Sequence, residues 1–277
     1  MKEKNNNLYN FSIESPYGFI AVVVLYVIGS ASFPVDFFSF IPGPEKDVCF
    51  ISMFIVRMIF SIVPFWLMFE VKVNRLLFAK EKCKTHLLLI PFFVVALNNF
   101  PFCSFIGKEI TLVSDVTWKT IIFYIAACFG GVILEECVFR GLIFPVILRK
   151  LNGKKNAVFL SVLISSLLFG GAHLVNLFNG VSIGSVVMQI GYSILVGGMC
   201  AVALFISGNI FYSVVLHLLF NIGGLLTGYG IISGVIWTPL SIIITAVIAV
   251  CVSVYTLVIL HNAGKYDYFF EKIDCVE

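Results

Sequence analysis

The sequence predicts an all-α fold, a polytopic membrane helix bundle of about eight transmembrane helices with no soluble domain. Three observations carry that expectation. Of the 277 residues, 60% are hydrophobic and only 12% charged, whereas an average soluble domain carries roughly 25% charged residues. Residues 156–264 contain no Asp, Glu, Lys or Arg, and a soluble fold cannot hide so long an uncharged stretch. Apolar runs recur at the length of about 20 residues that a hydrocarbon core about 30 Å thick demands of a helix. The same features exclude a secreted disulfide scaffold, a disordered chain and a nucleic-acid binder.

Taken in order, the spans fall near 17–35, 48–70, 85–106, 117–148, 156–177, 183–206, 209–227 and 231–261. The first follows a long polar lead that includes Glu3 and Glu14, so it reads as a retained helix despite the small residues Gly29-Ser30-Ala31-Ser32. Pro64, Pro91 and Pro101 interrupt the second and third spans, which neighbouring helices tolerate in a membrane. The fourth is too long for one straight crossing and is expected to tilt steeply or extend into the cytoplasm. The last four lie in the uncharged half.

Lys and Arg in the loops give the orientation. They cluster in Lys2 and Lys4, in Lys72, Arg75, Lys80, Lys82 and Lys84, and in Arg149, Lys150, Lys154 and Lys155. The intervening loops are poor, with Lys46 set against Asp36, Glu45 and Asp47, and Lys108 by itself. This alternation places both termini in the cytoplasm, the tail bearing Lys265 and Lys272. Cys49, Cys103, Cys128, Cys137, Cys200 and Cys251 sit in or beside apolar runs without CxxC spacing, and read as small apolar fillers. Cys275 is one position too late for a prenylation signal.

An ionisable group inside a bilayer costs several kcal/mol and needs a reason. Four clusters need one: Arg57, Glu135-Glu136 with Arg140, His173, and His217 with Asn221. Arg57 stands about 13 Å into its span and reads as structural, through snorkelling or bundle pairing. Glu136 and Arg140 are four apart, share a helix face and can neutralise each other. Glu135 points about 100° away from that partner. His173 ends the run Phe169-Gly170-Gly171-Ala172-His173, whose small residues let a neighbouring helix approach. His217 and Asn221 project from one face.

Each cluster also has a plain reading, as a buried ion pair fixing helix register or as hydrogen-bonded glue between helices. Together they suggest a converging polar pocket. A carboxylate and an imidazole can take a proton from water and direct it at an amide carbonyl. A second imidazole and a carboxamide can donate to the oxyanion that develops. There is no HExxH and no Asp within the bundle, against a zincin or a serine triad. A zinc site of His173, His217 and Glu135 remains chemically possible. Helix arithmetic puts Glu135, His173 and His217 about 20, 25 and 12 Å from the cytoplasmic ends of their spans, a spread wider than one site allows.

Glu135-Glu136-x-x-x-Arg140, Phe169-x-x-x-His173 and His217-x-x-x-Asn221 resemble the three-motif signature of the CPBP family. These are the CAAX protease and bacteriocin-processing intramembrane glutamate endopeptidases, formerly grouped as the Abi family. The ordered triple is specific and covers 116–226. The resemblance implies a division into helices 1–3 with a basic loop (1–115), a catalytic core of helices 4–7 (116–226), and a last helix with its tail (227–277). It implies that Glu135 activates water held with His173, that His217 and Asn221 form the oxyanion hole, and that Glu136, Arg140 and Phe169 support the site. The family mechanism is metal-independent, so no cofactor or metal is expected. Implied partners are membrane lipid and a membrane-associated peptide or prenylated CAAX-like substrate, with no nucleic acid; a bacterial plasma membrane is the expected location. Leader-peptide or bacteriocin processing is among the implied roles. Two rivals stand beside the peptidase: a non-catalytic immunity or scaffold protein using the same pocket, and a transporter or proton relay, which would be expected to show inverted repeats.

Overall fold

A computed structural model describes residues 7–34, 37–38, 40–77 and 85–263. In chain order the elements are α1 (Asn7–Glu14), α2 (Pro16–Ala31), α3 (Glu45–Glu70), α4 (Thr85–Asn98), the short α5 (Phe102–Ile106), β1 (Ile110–Leu112) and α6 (Trp118–Glu136). A π-helical segment (Cys137–Ile143) joins α6 to α7 (Phe144–Leu151). There follow α8 (Ala157–Ala172), a 3₁₀ turn (His173–Leu177), α9 (Ile183–Ser207), α10 (Ile210–Gly224), β2 (Ile232–Gly234) and α11 (Pro239–His261).

The helical bundle is as expected, but the count of eight full spans is not confirmed. Among the described residues five helices are long and apolar enough to cross a membrane, or six if α1 and α2, bent by 110°, count as one. The apolar helices in the places of the third and seventh spans are shorter, Leu87–Asn98 and Ile210–Gly224. The third stops because Pro101 has no N–H and disfavours a helical residue before it. Asn98 and Asn99 bind the break to its neighbours: Asn98 Nδ2 donates to Thr245 Oγ1 at 2.7 Å, and Asn99 Nδ2 to the Phe220 carbonyl at 2.7 Å. The eighth span begins only at Pro239, capped by the Thr238 side chain. Residues 232–234 instead pair antiparallel with 110–112, Ile110 opposite Gly234 and Leu112 opposite Ile232.

The fourth span runs unbroken from Trp118 to Leu151, about 51 Å at 1.5 Å per residue. Its far end reaches the basic loops, where Arg149 Nη1 donates to the Val71 carbonyl at 2.8 Å. Lys72 and Arg149 both lie over the Tyr9 ring. The first helix, the 72 loop and the end of α7 therefore share one end, in keeping with the charge alternation. Lys2, Lys4, Lys80, Lys82, Lys84, Lys265 and Lys272 lie outside the described residues. At the other end of α3, Lys46 binds Asp115 at 2.9 Å and the Gly230 carbonyl at 3.1 Å. That clasp, with the β1–β2 pairing, ties three remote loops together.

The core sits around α9, whose residues from Met199 to Ser207 are all buried, and around the π-helical segment, buried throughout. Gly130 lets α3 lie against α6: a Cβ there would stand 3.1 Å from the Phe54 carbonyl oxygen. By contrast α11 buries only Val252 and Ile259 and exposes Leu240, Ile243, Val247, Val250 and Val254, a face that lipid would cover. Cys128, Cys137 and Cys200 are buried as fillers, whereas Cys251 is exposed on that face and fills nothing.

Two outcomes follow from these contacts. A Cβ at Gly223 would meet the Asn99 carbonyl carbon and the Phe100 nitrogen at 2.9 Å, backbone that cannot give. Gly223→Val should therefore destabilise the protein by about 1–3 kcal/mol, read as a lower unfolding temperature in detergent. The Lys46 ammonium hydrogen-bonded to Asp115 holds its carboxyl below the usual carboxylate range. Since the folded-state value is depressed, the contact contributes above the unfolded value and is lost as pH falls through the folded one. Hydrogen exchange at 110–116 and 230–234 should rise in acid, below about pH 4, and Asp115→Asn should show the faster exchange already at neutral pH.

Candidate active site

The site is built where four elements meet. Glu135 and Glu136 end α6, just as the helix widens into the π-helical segment that carries Arg140; such insertions are frequent at functional sites. Glu136 and Arg140 are both 0% exposed, and Arg140 Nη1 lies 3.1 Å from Glu136 Oε1. The guanidinium covers the Phe169 ring, 4.5 Å from its centroid. Glu136 Oε1 also accepts from His217 Nδ1 at 2.8 Å. His217 Nε2 then stands 3.6 Å from Glu135 Oε2 and 3.2 Å from Asn221 Nδ2.

His173 is placed by the end of α8. The chain tightens into the 3₁₀ turn, and the His173 backbone N–H bonds to the Gly170 and Gly171 carbonyls. The Phe169 carbonyl pairs instead with His173 Nδ1, at 3.0 Å. A carbonyl can only accept, so Nδ1 carries the proton and Nε2 is left as an acceptor. The Phe169 ring meets both imidazoles edge to face, 5.3 Å from His173 and 5.5 Å from His217.

All seven positions marked in the sequence converge. Glu135, Phe169, His173, His217 and Asn221 line one cavity of about 240 Å³, with Glu136 and Arg140 buried behind it. The spread of depths expected from span ends is thus removed. Ser207 and Ile210, at the turn joining α9 to α10, are themselves buried. The turn is tucked into the bundle, and His217 lies deeper than its distance from the helix end suggests.

The same cavity is lined by residues that sequence reasoning set aside. Arg57 does make the structural contact expected of it, Nη1 donating to the Ser30 carbonyl at 2.6 Å, but it also faces the cavity. Asn176, Gln189, Tyr192 and Tyr229 join it, and Asn176 Nδ2 donates to Gln189 Oε1 at 2.7 Å. Two lone carboxamides near apolar spans were the available signal. Among the described residues no group of three or more His, Cys, Asp or Glu is arranged to hold a metal ion. A second cavity of about 760 Å³, lined by the α4–α5 break, α9, α10 and α11, adjoins the first and shares Tyr192, Phe220 and Asn221 with it.

Arg140→Ala should leave Glu136 buried without its cation and lower stability by about 3–5 kcal/mol. The double variant Glu136→Gln/Arg140→Met should recover much of that loss, since a buried ion pair replaced by uncharged groups is often neutral. Thermal unfolding in detergent would read both.

Residues 117–223 match the family model described as Type II CAAX prenyl endopeptidase Rce1-like. No curated protein and no solved structure matches the chain. The matched segment begins at the capping residue of α6 and ends beside Gly224, so it contains all seven converging positions.

Proposed function

We propose, from the match of residues 117–223 to the Rce1-like type II CAAX prenyl endopeptidase model, that this integral membrane protein is a metal-independent glutamate endopeptidase. The observation that carries the reading is the facing pair of Glu135 and His217 in one cavity with His173, each imidazole fixed from behind by a different acceptor. Glu135, with His173 Nε2 accepting from the same water, takes the water's proton as its oxygen attacks the scissile carbonyl. The new C–O bond pushes negative charge onto the carbonyl oxygen. His217 and Asn221 face that oxygen as the oxyanion hole, His217 held from behind by Glu136 and the Asn221 amide donating its N–H to the oxygen. Glu135 then returns its proton to the amine nitrogen as the C–N bond breaks.

The substrate in this reading is a membrane-associated peptide, prenylated at a CAAX-like end. The polar cavity takes the scissile bond and the adjoining apolar cavity, within the range of about 300–1,000 Å³ usual for ligand pockets, takes the lipid tail. The basic end faces the cytoplasm by the positive-inside rule, with both termini there, in a bacterial plasma membrane where leader or bacteriocin processing is the natural employment.

Purified protein should cleave a quenched prenylated peptide in the presence of chelator. Glu135→Gln and His173→Ala should abolish cleavage without lowering membrane abundance, and Asn221→Ala should lower kcat by about 10²–10³-fold. Loss of activity on chelation with recovery on zinc would move the mechanism to a metal. Failure of well-folded protein to cut any such peptide would favour a binding or immunity role.

A further inference from the structure

The geometry points to Arg57 as the residue that holds the free C-terminal carboxylate of the peptide substrate, an assignment that rests on the peptidase reading of the same cavity. Arg57 belongs to α3, outside the matched segment. Among the residues that line the polar cavity it is the one Lys or Arg. Its head group is fixed from one side: Nη1 donates to the Ser30 carbonyl of α2. A guanidinium has five N–H donors in a planar fork, and no carboxylate among the described residues lies within ion-pair distance of this one. A cation at that depth, balanced by one neutral carbonyl, is the kind of intramembrane charge that marks a ligand path. Its natural complement is a carboxylate, which the fork grips with two parallel hydrogen bonds.

The spacing fits a short C-terminal peptide. Gly130 brings α6 against Arg57, a Cβ at that glycine standing 3.3 Å from Arg57 Cβ. Glu135 follows five residues later, about 7.5 Å further along the helix axis. A peptide of two to four residues extends roughly 7–14 Å, so a chain anchored at Arg57 presents a bond that many residues from its end to Glu135. Charge requires the same arrangement. A substrate carboxylate drawn into a water-poor cavity beside Glu135 is repelled unless a cation receives it. Arg57 supplies that cation from α3, the helix packed against the one that bears Glu135. Its role is therefore in specificity: it selects chains that end nearby over internal segments, and it sets the distance from the terminus to the cut.

The test compares two fluorescent prenylated peptides of one sequence, one ending in a free carboxylate and the other in a carboxamide. Binding to detergent-solubilised Glu135→Gln protein should favour the free acid by about 10–100-fold. Adding Arg57→Gln should erase the preference, and adding Arg57→Lys, which keeps the charge but not the fork, should retain part of it. In wild-type cleavage the same preference should fall on KM rather than kcat. Equal handling of acid and amide by the Arg57-containing protein overturns the assignment without any variant having to fold, and so does a preference that survives Arg57→Gln. If both peptides are cut equally well, the peptidase reading stands and the Arg57 assignment fails. If neither is cut while the Arg57-dependent preference persists in binding, the carboxylate site stands and the peptidase reading fails.

Discussion

The bundle is organised around a charge cluster buried where no water screens it. Arg140 and Glu136 are fully enclosed, the guanidinium held by the ion pair and the Phe169 ring rather than by hydrogen bonds, and a charge in that position is tolerated only when opposite charge is close. This requirement reaches four elements. The π-helical segment carries Arg140 while keeping it four residues from Glu136, α8 supplies the Phe169 face beneath the guanidinium, and α10 brings His217 to the shared oxygen. α9 must pass with no side chain, because a Cβ at Gly197 would stand 3.0 Å from both Arg140 Nη2 and the Phe169 ring. Fixing this cluster fixes the register of the helices, and the register places Glu135 one residue away, facing the cavity.

Two adjoining spaces result, one polar and one apolar, separated by a wall that includes Tyr192, Phe220 and Asn221. Asn221 borders both, so in the proposed reaction the residue assigned to the oxyanion would also stand at the boundary between the peptide and its lipid. Positioning across that boundary is how a remote apolar group can orient a reacting bond.

Much of this was legible in the sequence because it rests on ionisable residues in apolar surroundings. Glu135, Glu136, Arg140, His173, His217 and Asn221 stand out against their spans, and fixed helical spacing decides which of them share a face. What was not legible depends on partners remote in the chain. The shortened third span needed knowledge that Asn98 and Asn99 would find Thr245 and Phe220. The β1–β2 pairing joins runs too short to signal strands. Arg57 looked structural because its cavity is made by helices that its own span does not reveal. Depth failed for a similar reason: measured from the end of α10, it takes no account of a buried turn.

The clasp between Lys46, Asp115 and Gly230 joins residues far apart in the chain, and it needs Gly230, which is made after every motif residue. Gly230 follows Tyr229, a wall of the polar cavity, and α2 and α3 provide further wall through Val27, Met53 and Arg57. None of these lies in the segment that bears the motifs. A nascent chain released before that point holds every motif residue and still has an open-sided cavity. The matched segment is consequently not a portable module. Transplanted by itself it would carry the motif residues without the walls that α2, α3 and Tyr229 supply.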